Sequence, residues 1–92
     1  MLKGKTASGF SFKISEDTRD DMELLENIAR YDAGERMTLP LILKALLGED
    51  QKKKLYEHCR GKNGKVSSKM VLDEVKNIFE EINKSEDDTK NS

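Results

Sequence analysis

The side chains with the most chemical potential in this chain are its single histidine and single cysteine, His58 and Cys59. Neighbouring residues on a helix point about 100° apart, so these two cannot act together as a nucleophile and its base. A zinc site needs about four ligands, and the sequence contains no second histidine or cysteine to complete one. We therefore interpret Cys59 as a small buried hydrophobic residue and His58 as a solvated surface residue.

Two further patterns that often mark ligand sites are also incomplete. The acidic run Glu86-Asp87-Asp88 lacks the alternating oxygen ligands and the closing glutamate of a calcium-binding loop. The six glycines are scattered along the chain and form no phosphate-binding loop. The sequence therefore predicts no catalytic residue, no metal ligand and no cofactor, and we expect that the chain is not an enzyme.

The size and composition of the chain allow one small domain. It has 92 residues, of which 35% are hydrophobic and 38% charged, so a lean core lies in a highly charged shell. One cysteine cannot form an internal disulfide, and nothing in the sequence requires an oxidising compartment. No apolar stretch follows the first lysines, so we expect no signal peptide and a cytoplasmic location.

The most apolar segment covers residues 39–47, whose side chains would surround nearly the whole circumference of a helix. It is less than half as long as the roughly 20 residues needed to cross a bilayer, so no membrane span is expected. An amphipathic surface helix shows one apolar stripe of roughly 100°. The apolar side chains outside one such stripe predict that this helix contributes both to the core and to a contact with a partner protein.

Helical periodicity predicts four helices, near residues 16–31, 38–47, 49–60 and 67–82. Ser15 or Asp17 is expected to cap the first and Ser67 the last, and Gly48 separates the second from the third. The last helix has a regular apolar face, formed by Val71, Val75, Ile78, Phe79 and Ile82, with Leu72 alongside.

The N-terminal region shows a different pattern, because Phe10, Phe12 and Ile14 alternate with polar residues as in a half-buried strand. No second strand-like run is evident, so this segment should either lie against the helices as an extended arm or pair with the edge of another chain. The predicted fold class is mainly α, a small four-helix domain with an extended N-terminal arm. The expected organisation is a flexible N-terminus (1–8), a single helical domain (9–83) and a disordered tail (84–92) that has no apolar residue to bury.

Charge is distributed unevenly along the chain. Residues 15–35 contain eight acidic and two basic side chains, whereas residues 51–69 contain seven basic and one acidic side chain. The acidic helix would repel nucleic acid within a Debye length of about 8 Å, which disfavours nucleic acid as a partner. The bipolar pattern favours head-to-tail protein contacts, and it predicts a homo-oligomer when the natural partner is missing.

The order of these features resembles a known family over residues 9–82. It comprises a Phe-x-Phe arm at Phe10, an acidic helix reading DDMELLENIARYD, the junction LLGEDQ that starts at Leu46, and the final Val-x-x-Ile-Phe that starts at Val75. This combination resembles the small tail assembly chaperones encoded by long-tailed phages and prophages of Gram-positive bacteria.

The resemblance implies a non-enzymatic role that needs no ATP. Such a protein is made in the bacterial host cytoplasm, coats the tape measure protein, keeps it soluble and helps to recruit the tail tube protein. It is not part of the mature virion. The expected partner-binding residues are Phe10, Phe12, Leu39, Leu41, Leu43 and Leu47, and the expected charged contact surface contains Asp20, Asp21, Lys52 and Lys53.

An alternative interpretation is a small nucleic-acid-binding regulator with a basic helix-loop-helix face. The third helix, the loop and the fourth helix would form this face, and the residues that could then contact phosphates are Lys62, Lys65, Ser67, Ser68 and Lys69. Against this, the loop at residues 61–66 is longer than the 3–4-residue turn of a helix-turn-helix motif. The last helix would also turn acidic side chains towards the DNA, namely Asp73, Glu74, Glu80 and Glu81.

Overall fold

The protein is described by a computed structural model that covers the backbone of residues 1–91 and the side chains of residues 1–84. Strands β1 (Leu2–Lys5) and β2 (Ser11–Ile14) are followed by helices α1 (Met22–Asp32), α2 (Leu39–His58) and α3 (Ser68–Asn91). Two 3-10 turns, Glu16–Asp20 and Arg36–Thr38, precede α1 and α2. The predicted mainly helical class is confirmed.

The predicted count of four helices is not confirmed, because the described residues form three helices and a two-stranded sheet. The expected second and third helices follow one another within α2, and Gly48, with φ 80° and ψ 167°, interrupts the helical backbone between them, as predicted. This conformation is essentially restricted to glycine. Gly48 therefore redirects α2 without leaving a loop between two helices.

The first helix also begins later than predicted. Residues 16–20 form a 3-10 turn, and Asp21 caps α1 by accepting hydrogen bonds from the backbone N–H groups of Glu23 (2.9 Å) and Leu24 (3.4 Å). The expected cap by Ser15 or Asp17 is therefore wrong for α1. At α3 the prediction holds, because the Ser67 hydroxyl accepts a hydrogen bond from Met70 N–H at 3.2 Å.

The expectation of an unpaired arm behind a flexible N-terminus is wrong, because β1 and β2 form an antiparallel hairpin. Leu2 lies opposite Ile14, and Gly4 lies opposite Phe12. A Cβ atom at Gly4 would lie only 2.6 Å from Cζ of Phe12, so the missing side chain makes room for the aromatic ring. The strand signal in residues 2–5 is weak because its inward positions hold only one large apolar residue.

The side-chain amide of Gln51 joins the outer edge of β2 to α2. Gln51 Oε1 accepts a hydrogen bond from Lys13 N–H, and Gln51 Nε2 donates to Lys13 C=O, both at 2.7 Å. The same Nε2 donates to the carbonyl of Leu47 at 2.8 Å. Gln51 thus takes the place that a neighbouring strand would occupy, and the edge of the sheet is satisfied within the chain.

One hydrophobic core joins the hairpin to all three helices. Its members are Phe10, Phe12, Ile14, Leu24, Ile42, Leu43, Leu46, Leu47, Leu55, Cys59, Val71, Val75, Ile78 and Ile82. Within the described chain, no helix combines the length and the hydropathy that a membrane crossing requires. Helix α3 runs to Asn91, beyond the predicted end of the last helix at residue 82, so it overlaps the predicted disordered tail, 84–92; the side chains after Lys84 lie outside the described residues.

Candidate functional site

The expected partner-binding residues separate into buried and accessible positions. Phe10, Phe12, Leu43 and Leu47 belong to the core, with exposed fractions of 6% or less. Leu39 is half-buried, and Leu41 is 48% exposed. Two of the six expected residues are therefore open to a partner in this conformation, and the other four stabilise the fold.

Leu39 lies at the centre of a continuous apolar groove, which we call the Leu39 groove. Three adjoining cavities of about 160, 240 and 340 Å³ are each lined by Leu39. The smallest lies between α1 and α3, and the largest lies between the start of α2 and the start of α3. The apolar residues that line the three cavities are Ile28, Tyr31, Met37, Leu39, Pro40, Ile42, Leu43, Tyr56, Val66, Val71, Leu72, Val75 and Phe79.

The walls of the Leu39 groove are only partly covered by the rest of the chain. Tyr31, Leu39, Val66 and Phe79 are half-buried and pack against the core from outside. Met37, at the mouth of the largest cavity, is 90% exposed. Exposed apolar surface of this kind, bordered by polar residues, is typical of a protein-binding site.

The rim of the Leu39 groove carries mainly positive charge. Arg36, Lys69 and Lys76 line it, and Asp32 is the one acidic side chain among the lining residues. Arg36 lies over the ring of Tyr31, at 5.9 Å from the ring centroid. Such a rim favours a ligand that carries carboxylates beside an apolar strip.

The expected charged contact residues lie on separate parts of the surface. Asp20 is exposed at the end of the first 3-10 turn, whereas Asp21 is occupied as the cap of α1. Lys52 forms an ion pair with Glu49 at 3.2 Å, and its ammonium lies 6.0 Å from the ring centroid of Tyr56. Lys53 is exposed beside it on α2.

A polar cluster that sequence reasoning missed joins the hairpin loop to α2 and α3. Thr6 and Ser8 donate hydrogen bonds from their hydroxyls to Oε1 of the buried Glu74, at 2.7 and 2.8 Å. The Ser8 hydroxyl also lies 2.9 Å from Nε2 of His58. The Ala7 N–H donates to Oδ1 of Asn77 at 2.6 Å. We call Thr6, Ser8, His58, Glu74 and Asn77 the hairpin anchor.

His58 is exposed, as expected, but its side chain also has partners within the chain. Its side chain is 30% exposed, and its ring packs against Phe10 with the centroids 5.6 Å apart. Because Ser8 donates its proton to Glu74, Nε2–H of His58 is the donor towards the Ser8 oxygen. No local pattern signals this arrangement, since its partners are separated by 50 or more residues.

The geometry of Ser8, His58 and Glu74 differs from a nucleophilic triad. In a triad the carboxylate holds the far nitrogen of the imidazole, while the near nitrogen faces the hydroxyl. Here the carboxylate accepts the hydroxyl proton of Ser8 itself, and Glu74 Oε1 lies 3.9 Å from the same Nε2. The arrangement attaches the hairpin to the helices.

Cys59 is buried, as predicted, with 1% of its surface exposed. Burial raises the pKa of its thiol, and the nearby negative charge of Glu74 acts in the same direction. The side chain is therefore a poor nucleophile at neutral pH. No group of three or more His, Cys, Asp or Glu side chains in the described part of the chain could hold a metal ion.

The region assigned to nucleic acid in the alternative interpretation is a closed loop between α2 and α3. Arg60 pairs with Val66 in an antiparallel bridge, and its guanidinium donates to the carbonyl of Gly64 at 2.6 Å. Arg60 also forms an ion pair with Glu57 at 2.9 Å. Glu74, expected on the exposed face of the last helix, is instead buried in the hairpin anchor.

Comparison of the chain with protein-family models, with curated proteins and with solved structures gave no match.

Proposed function

We propose that this chain is a non-enzymatic tail assembly chaperone of a phage or prophage, which binds and solubilises the tape measure protein and helps to recruit the tail tube protein. It acts in the cytoplasm of the bacterial host and is not part of the mature virion. The observation that supports this proposal best is the Leu39 groove, an elongated apolar surface on a small and highly charged domain.

The Leu39 groove has the features of a site that receives an amphipathic helix. Such sites bind side chains at positions i, i+3, i+4 and i+7 of the ligand helix, which lie in a row along one face. The adjoining cavities extend from Phe79 past Leu39 to Val66, so they offer a row of contacts. A long helix-rich client could present such a strip repeatedly, and several copies of the chaperone would cover it.

The charged surface explains how a coated client would stay in solution. Charged residues make up 38% of the chain, so a copy bound through its groove presents a charged exterior. The basic rim at Arg36, Lys69 and Lys76 favours client segments that carry acidic residues beside the apolar strip. Binding through the groove thus replaces an aggregation-prone surface with a charged one.

The test is co-expression of this chain with the tape measure protein encoded near it, followed by measurement of soluble client and of its co-purification. The wild type should keep the client soluble and co-purify in many copies per client chain. Met37→Asp should abolish this effect, because an unpaired charge in an apolar contact costs several kcal/mol. Met37 is 90% exposed, so the variant should fold.

Met22→Asp is the matched control, because Met22 is also an exposed methionine, 71% accessible, but lies outside the Leu39 groove. It should retain full chaperone activity. Leu41→Asp locates the contact independently, since Leu41 is exposed on α2 and does not line the groove. Loss of activity in Leu41→Asp alone would assign client binding to the outer face of α2. A client that stays insoluble with the wild type would refute the chaperone role itself.

Recruitment of the tail tube protein is tested in the same system by adding that protein to the purified chaperone–client complex. The complex should retain the tail tube protein on an affinity column, whereas the client alone should not. Equal retention with and without the chaperone would contradict the recruiting role and leave the solubilising role intact.

A further inference from the structure

The outward face of the hairpin is a cluster of lysines. Strand alternation places Lys3, Lys5, Lys13 and Ser11 on this face, and all four residues are exposed. Lys54 of α2 lies beside them and helps to line a cavity of about 470 Å³ together with Lys3, Lys13 and Gln51. We call Lys3, Lys5, Lys13 and Lys54 the lysine face.

Two positively charged side chains of the lysine face lie directly opposite each other in the hairpin. Lys3 and Lys13 are cross-strand partners, and the backbone N–H and C=O of Lys13 turn away from β1 towards Gln51. They therefore form a non-hydrogen-bonded pair, the closer of the two pair types, in which like charges are destabilising. Among the described side chains, no carboxylate forms an ion pair with Lys3, Lys13 or Lys54.

Part of the basic end of α2 is already neutralised within the chain, because Lys52 pairs with Glu49 and Arg60 pairs with Glu57. The hairpin, which the sequence did not reveal, adds a second basic surface, whose Lys3 and Lys13 lack such a pair among the described side chains. The hairpin is therefore a surface that gains from an acidic partner.

The chain itself carries a surface of the opposite charge. Asp20, Glu23 and Glu26 are exposed on the first 3-10 turn and on α1, and the apolar side chains of Met22 and Leu25 lie among them, 71% and 50% exposed. An acidic helix with an exposed apolar strip complements a basic face that borders an open cavity.

We propose that the lysine face of one copy binds the acidic surface of α1 of a second copy in a head-to-tail contact. Because the two surfaces differ, the contact is heterologous and can continue from copy to copy. Nucleic acid could in principle bind the same lysines, but the acidic surface of the same small domain disfavours it. None of the four lysines lines the Leu39 groove, so the contact is independent of client binding.

Charge reversal on each surface separately tests the contact by sedimentation velocity at low salt. Lys3→Glu with Lys54→Glu neutralises the lysine face and gives Lys13 an opposite charge across the strands, so the hairpin is retained. Asp20→Lys with Glu23→Lys reverses the acidic surface. Either variant should self-associate more weakly than the wild type, by up to about 25-fold, since two exposed pairs of up to about fivefold each are lost.

Mixing the two variants gives the decisive result. The first variant keeps the acidic surface and the second keeps the lysine face, so an equimolar mixture should form dimers through these two intact surfaces. Lys62→Glu with Lys65→Glu is the matched control, because it makes the same change of charge in the loop between α2 and α3 and should associate like the wild type. Raising the salt to about 0.5 M should weaken the wild-type contact.

Three results would overturn the proposal: a wild type that stays monomeric at high concentration in low salt, association that is unchanged in both reversal variants, or a mixture that stays monomeric. Duplex DNA of mixed sequence is the probe for the competing partner, with fluorescence anisotropy as the readout. DNA binding that the Lys3→Glu and Lys54→Glu changes abolish, in a protein that does not self-associate, would assign the lysine face to nucleic acid.

Discussion

Replacement of Glu74 by alanine should detach the hairpin loop from α3. Glu74 is 8% exposed, and its Oε1 accepts the hydroxyl protons of Thr6 and Ser8 at 2.7 and 2.8 Å. A hydrogen bond to a charged group contributes about 1.5–3 kcal/mol. Ser8 can turn to water after the substitution, whereas Thr6 is 4% exposed and retains only the Ser8 hydroxyl, at 3.2 Å, as a neighbouring acceptor.

These contributions predict a loss of about 2–4 kcal/mol in the free energy of unfolding. For a domain of this size, about 1 kcal/mol corresponds to a shift of roughly 4–8 °C in Tm, so Glu74→Ala should lower Tm by roughly 8–32 °C. Glu74→Gln keeps an oxygen acceptor, and neutral hydrogen bonds are about half as strong as charge-assisted ones. It should therefore lose about half as much.

Thermal unfolding followed by circular dichroism measures the effect, and native-state hydrogen exchange locates it. The Thr6 N–H donates to the Phe10 carbonyl at 2.9 Å, and the Phe10 N–H donates to Thr6 Oγ1 at 3.1 Å. Both amides should lose protection in Glu74→Ala before those of α2 do. The matched control is Glu80→Ala, an exposed glutamate of α3, which should change stability by no more than about 0.5 kcal/mol.

A Tm of Glu74→Ala within about 2 °C of the Glu80→Ala control would refute this reasoning. It would mean that water replaces the carboxylate in the hairpin anchor at no net cost. Loss of protection spread evenly over the whole chain would contradict the local part of the prediction, because the hairpin would then not open before the helices.

Three further changes follow from the same structure. Gly48→Ala should destabilise the protein by about 1–3 kcal/mol in urea denaturation, because φ 80° with ψ 167° is strained for any residue with a Cβ. An unchanged midpoint of the urea transition would show that α2 adopts a helical conformation at residue 48 at no cost. Leu43→Asp should abolish the cooperative unfolding transition, whereas Leu41→Asp should retain it, because Leu43 is 1% and Leu41 48% exposed. Cys59 should react with a thiol reagent far more slowly in the native protein than in urea. Because burial raises the pKa of its thiol in the folded state, the unfolded chain ionises first as the pH rises. The free energy of unfolding should therefore be unaffected by Cys59 below about pH 8 and fall at higher pH.

The local sequence pattern was sufficient to predict features that depend on a single helix. The predicted apolar face of the last helix is confirmed at Val71, Val75, Ile78 and Ile82, which are all buried in α3. Their spacing follows the helical repeat, so their common face depends only on the chain being helical there. The cap at Ser67 was predictable for the same reason, because its hydrogen bond reaches only three residues along the chain.

Contacts between distant parts of the chain could not be predicted in this way. Strand β1 exists because Gly4 leaves room for the ring of Phe12 and because Gln51 closes the far edge of β2. The hydrogen bonds that join the hairpin loop to the helices in the hairpin anchor connect residues 50–70 positions apart in sequence. A polar residue such as Glu74 has the same local pattern whether its helix face meets solvent or a hairpin.

The candidate site likewise combines features that the sequence predicts with features that depend on tertiary contacts. The sequence by itself determined that residues 39–47 are too apolar for one face of a helix, that the chain is mainly helical and that its charge is segregated. Only the tertiary structure decided that most of this apolar surface is core, that Leu39 lies in an open groove and that the lysines of the hairpin lack internal partners. The physical reason is that periodicity fixes the direction of a side chain relative to its own element, whereas burial depends on which other elements pack against that side.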